Sequence, residues 1–423
     1  MSIHFDKTTL ANGVRVLSEA IEGFPTASFG IWVNVGSRDE APEENGLTHF
    51  IEHMLFKGTQ ERSALEVAKE MDRLGGYANA FTSRENTCFH AKVLPEDLPD
   101  LIALFTDLFL HPRFDPEDIE REKQIILQEI KMIEDSPEEL VHELFSQYFW
   151  GKSPLGQPIL GTWETVSRFS DEDLRRYFRQ LYVGSRVVVS AAGGVEHKKL
   201  LEQIKDAFEG LSSHPRPLSR STPKPQSGLK VYPKDLEQVH LVLGVPTAGA
   251  VDPKRYVALL FNTLLGGNMS SRLFQEVREK RGLAYAIYSY LSLYEDIGVL
   301  WIYAAVERKD LIETLAILGR EINTLCAGGV REEEFSAALD HLKSALLLSA
   351  DSPDSRMTRI ARNEILFGRY MPYEETLKRL REIKPEDLAA FARETFAQPP
   401  TLVLLGPLKE DELQLPEDLF VKV

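Results

Sequence analysis

The sequence predicts an α+β protein built from two homologous domains. Three observations carry that expectation: strand-like runs alternate with helix-like runs, the chain repeats itself once, and a Pro-rich stretch separates the repeats. At 423 residues the chain also exceeds what one hydrophobic core usually serves, so two cores of about 200 residues each are expected.

The repeat appears when the chain is slid along itself. "FSDEDLRRYFRQLYVGSRVVVSAAG" from Phe169 aligns with "IKPEDLAAFARETFAQPPTLVLLG" from Ile383 at an offset of 214. "EDSPEEL" at Glu134 pairs with "ADSPDSR" at Ala350 at 216, and "VLPEDLPDLIAL" at Val93 with "VERKDLIETLAI" at Val306 at 213. The polar, proline-bearing stretch from Ser212 to Gly228 lies between the copies. It predicts an N-terminal domain over 1–213, a linker over 214–228 and a C-terminal domain over 229–423.

The elements follow in order. Asn12 and Gly13 between two strand-like runs predict an N-terminal hairpin. "ASFGIWVNVGS" reads as a strand and "LTHFIEHMLFKG" as the helix after it. Ser63 with Glu66 forms a capping box for "SALEVAKEMDRLGG", which Gly75 and Gly76 end. "YANAFTSRENTCFHAKVL" reads as strands, and Asp115 with Pro116 supplies the N-cap and first position of the helix "EDIEREKQIILQEIKMIE".

Composition excludes several function classes. Hydrophobic residues at 43% and charged ones at 27% are globular values, too apolar for disorder. A net charge of -16 without a basic stripe argues against nucleic acid and anionic membranes as partners. No apolar run approaches the roughly 20 residues that span a bilayer, and "MSIHFDKTTLANGVRVLSEA" lacks the order of a secretory signal, so a cytoplasmic protein is expected. Cys88 and Cys326 stand far apart, which suggests a reducing compartment and no thiolate metal site.

The chemistry concentrates in "THFIEHMLF". On a helix, His49, Glu52 and His53 share one face, so two imidazoles four apart can grip one cation and the glutamate can take a proton from water. Neutral imidazole suits zinc, and H-x-x-E-H is a zinc-peptidase pattern. Alone the pattern is moderately specific; a third ligand decides it. Glu122 and Glu129, seven apart, return to one helix face among Ile119, Ile125, Ile126 and Ile130, which predict a buried helix. Buried carboxylates there need a metal or its ligands as partners.

Together these five residues resemble the pitrilysin/insulinase-type zinc peptidases, the inverzincins, in their mitochondrial-processing-peptidase-like branch. The resemblance implies one zinc per chain held by His49, His53 and Glu129, Glu52 as general base, and Glu122 orienting a histidine. It also implies domains that are each a mostly antiparallel sheet covered by helices, forming half of a clamshell around an enclosed chamber for extended or unfolded peptides. "GGYANAFTSRENTCFHAKVL" looks like the family's substrate-pairing edge strand, with Asn79, Ala80 and Phe81 beside the scissile bond. "LFQEVREKRGLAYAIYS" resembles the segment whose arginine and tyrosine bind substrate, here Arg278 and Tyr285.

In the second copy, the positions of His49 and His53 fall on Phe261 and Leu265, and those of Glu122 and Glu129 on Ala338 and Ala345. The C-terminal domain is therefore expected to hold no metal, and His341 reads as incidental. The expected function is zinc-dependent endopeptidase, with a homodimer or a related subunit completing the chamber. The competing expectation is a non-catalytic structural or assembly subunit.

Overall fold

The computed structural model describes residues 2–413. Before the Pro-rich stretch the chain runs β1 (Ile3–Thr9), β2 (Arg15–Ile21), β3 (Ala27–Val33), α1 (Leu47–Leu55), α2 (Ala64–Arg73), β4 (Tyr77–Thr82) and β5 (Thr87–Val93). It continues through α3 (Leu98–Leu110), α4 (Pro116–Asp135), α5 (Pro137–Trp150), α6 (Trp163–Arg168), α7 (Asp171–Leu181), β6 (Val187–Gly193) and α8 (His197–Phe208). Next come β7 (Gly228–Pro233), β8 (Val239–Ala248), α9 (Arg255–Leu265), β9 (Ala284–Leu293), β10 (Ile297–Val306) and α10 (Leu311–Cys326). The last elements are α11 (Glu332–Ser349), α12 (Pro353–Phe367), α13 (Tyr373–Arg381), α14 (Pro385–Phe396) and β11 (Thr401–Gly406).

Two sheets reproduce the repeat. The first has the order β1-β2-β6-β3-β5-β4 and the second β7-β11-β8-β10-β9, so β2, β6, β3, β5 and β4 correspond in turn to the five strands of the second. Only the β2–β6 and β7–β11 pairings are parallel, which makes both sheets mostly antiparallel. In each, the strand corresponding to β4 lies at an edge.

Local signals act where the sequence places them. Ser63 caps α2 and exchanges hydrogen bonds with Glu66, and Gly75 follows the helix in the left-handed region at φ 61°. The Asp115 carboxylate accepts from the Glu117 amide at the start of α4. Between β1 and β2, Gly13 adopts φ 93°, a conformation that suits glycine.

The compact units differ from the contiguous spans that the linker predicts. One consists of residues up to Met132 with Gln157–Ser221 and Leu348–Met371; the other of Ile133–Gly156, Thr222–Leu347 and residues from Pro372. The first unit thus contains α12 from the second repeat, and the second contains α5 from the first. Burial gives the reason. Every residue of β3 and β6 is buried, so the sheet needs cover on both faces. On one face Phe29, Ile31, Phe50, Phe105 and Ile126 form the main core; on the other, Leu17, Trp32 and Val188 meet Met357, Ile360 and Ala361 of α12. In the second unit Val242, Val299 and Val403 meet Val141, Phe145 and Phe149 of α5. Gly30 and Gly244 make room for these helices: a Cβ at Gly30 would come within 2.8 Å of Met357 Sδ, and one at Gly244 would collide with the Phe145 ring.

The Pro-rich stretch has no helix or strand before β7, yet its first part is held by ion pairs. Arg216 meets Glu44 at 2.7 Å and Arg220 meets Asp39 at 2.7 Å, both within the first unit. Among the described residues no helix is long and apolar enough to cross a membrane.

Candidate metal centre

α1 turns Leu47, Phe50, Ile51 and Met54 into the first core, which leaves His49, Glu52 and His53 on its other face. The two imidazole rings lie 4.6 Å apart. The residue before the helix, Gly46, has no side chain to cap it. Glu40, only 2% exposed, does so from the preceding loop: its carboxylate accepts from the Thr48 amide at 2.7 Å, the Gly46 amide at 2.8 Å and the Asn45 side chain at 3.1 Å. Burial pushes the Glu40 carboxyl up to about 7, opposed by these donors. Sequence reading missed Glu40, because a cap supplied from six residues upstream of the N-cap follows no helix signature.

α4 brings the carboxylates. Ile119, Ile126 and Ile130 anchor it in the core as expected, whereas Ile125 is 40% exposed and does not belong to the buried face. That corrects the predicted apolar set: Ile125 sits next in sequence to Ile126, about 100° around the helix, and so points away. Glu122, 3% exposed, lies 3.0 Å from His53 Nδ1 and 2.6 Å from Lys57 Nζ. Glu129 Oε2 lies 3.8 Å from His49 Nε2 and 3.7 Å from His53 Nε2. Among the described residues, His49, His53 and Glu129 are the one group of three such side chains whose donor atoms all fall within 4.8 Å of one another.

This donor set fits a zinc ion. Tetrahedral zinc with bonds of about 2.0–2.1 Å separates its ligand atoms by about 3.4 Å, close to what is found here. Burial, and then the neighbouring His53, push His49 down to about 3, so its lone pair is free at neutral pH. For His53, burial lowers the pKa, but the Glu122 hydrogen bond and the charges of Glu129, Glu122 and Glu52 outweigh it and raise the value. Among the described residues, Nδ1 of His49 is buried with no hydrogen-bond partner, so none of them fixes that ring as Glu122 fixes the other.

Glu52 is raised above the usual carboxylate range by burial, with the Thr82 hydrogen bond and His53 opposing. A cavity of about 320 Å³ opens beside it, lined by Glu52, His53, Phe56, Lys57, Met71 and Glu122 and by Ala78, Asn79 and Ala80 of β4. Phe81 faces elsewhere: its ring packs edge-on against Trp32 at 5.6 Å. The Asn79 side chain turns to the Tyr77 hydroxyl and to the Ala80 amide.

In the second unit, Arg278 lies over the Phe274 ring at 4.8 Å and the Tyr285 ring at 5.0 Å. Tyr285 is 80% exposed at the start of β9, so it is not a core tyrosine. Phe261 and Leu265, at the positions that correspond to His49 and His53, are fully buried in an apolar core. His341 is exposed on α11.

The sequence family described as Insulinase (Peptidase family M16) matches residues 15–163, and Peptidase M16 inactive domain matches 168–342. An uncharacterized zinc protease of Streptomyces coelicolor is 39% identical over 96% of this chain and 90% of its own length. The chain belongs to peptidase family M16. A second M16 relative, the uncharacterized zinc protease YmxG of Bacillus subtilis, is 38% identical over 94% of this chain and 97% of its own. The M16 fold is shared with the crystal structure of a protease from Helicobacter pylori, with a TM-score of 0.88 at 22% identity over 96% of this chain and 100% of that one. The M16 inactive domain from Pseudomonas fluorescens gives 0.88 at 19% identity over 96% and 98%. In this M16 chain, the insulinase match contains His49, His53 and Glu129, and the inactive-domain match contains Phe261, Leu265 and Ala338.

Proposed function

We propose that this chain is a zinc-dependent endopeptidase that hydrolyses extended or unfolded peptides, with Glu52 as general base. One observation carries the reading: the donor atoms of His49 and His53 on α1 and of Glu129 on α4 converge, with Glu52 on the α1 face that carries the two histidines and a sheet edge alongside. When bound, zinc would polarise the scissile carbonyl and lower the pKa of the attacking water.

The residues then divide the work. His49, His53 and Glu129 hold the ion, and Glu122 orients His53 by its hydrogen bond at 3.0 Å. Glu52 takes the proton of the attacking water and later delivers it to the leaving amine. The outer edge of β4, including Asn79, Ala80 and Phe81, pairs with an extended backbone through main-chain hydrogen bonds, which tolerates varied side chains. Arg278 and Tyr285 bind the substrate backbone and the oxyanion. The chain acts in the cytoplasm as a homodimer that encloses its substrate.

The test measures zinc content and cleavage of an unstructured peptide by wild type and Glu52→Gln. The variant is expected to keep zinc and to lose roughly 10²–10⁴-fold in rate. A variant that cuts at the wild-type rate removes Glu52 as the base. A wild type that binds zinc and cuts nothing favours a non-catalytic subunit.

A further inference from the structure

We infer that Thr82 is a positioning residue for hydrolysis: its hydroxyl holds the Glu52 carboxylate in place from the strand on which substrate lies. The inference rests on the reading of Glu52 as general base and deepens it.

Alternation along β4 places Thr82. Ala78, Ala80 and Thr82 are partly buried, while Tyr77, Asn79 and Phe81 are exposed, so the first three share a face. That face is the one toward α1, since Ala78 and Ala80 line the cavity beside Glu52. Of the three, only Thr82 carries a hydroxyl. Its Oγ1 donates to Glu52 Oε2 at 2.5 Å, and Thr82 is the only hydrogen-bond partner of that carboxylate among the described residues.

The bond has a chemical consequence. A glutamate side chain has three rotatable bonds, and a free carboxylate beside two imidazoles can turn either oxygen toward them. With Oε2 occupied by Thr82, Oε1 is left for the reacting proton, and the base keeps one orientation. Misplacing a reacting group by about 1 Å can cost a factor on the order of 10². Thr82 also ends the strand whose edge pairs with substrate, so one element sets both the peptide and the base.

A purely local role for the hydroxyl is disfavoured by the turn that follows. Ser83 closes it within the turn, with its amide 2.8 Å and its hydroxyl 2.9 Å from the Asn86 carbonyl. Thr82 is not needed there.

The experiment compares wild type, Thr82→Val, Thr82→Ser and Glu52→Gln as zinc-loaded full-length chains. The readouts are kcat and KM on an unstructured peptide, zinc affinity by chelator competition, and melting temperature. Valine keeps the branched shape and removes the donor. It is expected to lower kcat roughly 10–100-fold with KM within about twofold, and to leave zinc affinity and melting temperature unchanged. Serine is expected to restore kcat to within about threefold of wild type. On the Glu52→Gln background, Thr82→Val should change neither zinc affinity nor the Kd for the uncut peptide. Thr82→Val at the wild-type kcat overturns this inference alone, as does a loss that serine shares or that follows zinc loss or unfolding. A wild type that cuts nothing overturns both this inference and the peptidase reading.

Discussion

Glu122 bridges Lys57 and His53: one oxygen lies 2.6 Å from the ammonium and the other 3.0 Å from the imidazole Nδ1. A carboxylate so placed fixes the ring with Nε2 toward Glu129 and increases its basicity as a ligand. Its two hydrogen bonds overcome the upward push of burial and keep Glu122 below the usual carboxylate range. Glu122→Gln is expected to weaken zinc binding roughly 10–100-fold, as seen for groups that orient metal-bound histidines. Lys57→Met should act in the same direction and less strongly. Competition with a chromophoric chelator measures both, and unchanged affinity in Glu122→Gln removes its role.

Glu129 is placed to touch the ion itself, so its loss should cost more. Glu129→Gln is expected to reduce zinc affinity beyond the roughly 100-fold limit of an orienting group. Metal content after dialysis, compared with Glu52→Gln, separates a ligand from a base. Equal retention of zinc by the two variants would sink the ligand set.

The helix contributed from the second repeat is pinned to the first sheet by buried charge. Arg356 meets Glu19 at 3.2 Å, with side chains 9% and 1% exposed, and the Tyr370 hydroxyl donates to the same carboxylate at 2.7 Å. Arg356→Met leaves Glu19 without its cation, and about 3 kcal/mol of stability should be lost. Urea unfolding provides the measurement; a change below about 0.5 kcal/mol would mean that apolar packing alone holds α12.

His142 predicts the acid side of the stability curve. It lies on α5 against Trp301 and Tyr303, with its Nε2 3.3 Å from the Tyr288 hydroxyl. Burial pushes it from 6.5 down to about 4; Glu138 opposes this and His240 adds to it. Between those values the unfolded chain takes up a proton that the folded chain refuses, so stability falls as pH drops from 6.5 to 4 and then levels off. The shift corresponds to about 3 kcal/mol. His142→Phe should abolish this difference, read by urea unfolding at neutral pH and near pH 4. Parallel pH profiles for the variant and wild type would contradict the assignment.

Much of the site was legible because its residues obey a local period. His49, Glu52 and His53 are spaced for one helix face, Glu122 and Glu129 for another, and Ser63 with Glu66 spells out its own cap. Thr82 was within reach of the same logic, two residues beyond Ala80 on one face of a strand. Glu40 and Lys57 were not, because their partners lie off any regular spacing. Ile125 was misread because a run of isoleucines does not tell which of two neighbours faces inward.

The chain order of residues determined the repeat, the alternation of strands and helices, and the loss of metal-binding side chains from the second copy, all of which depend on spacing along the polymer. Only the tertiary structure decided that α5 and α12 are exchanged between units, that Arg216 and Arg220 strap the Pro-rich stretch, and that α1 is capped from a distant loop. Those outcomes turn on which apolar sheet faces remain to be covered and where buried charges find partners, and such contacts join residues too far apart for any local pattern to record.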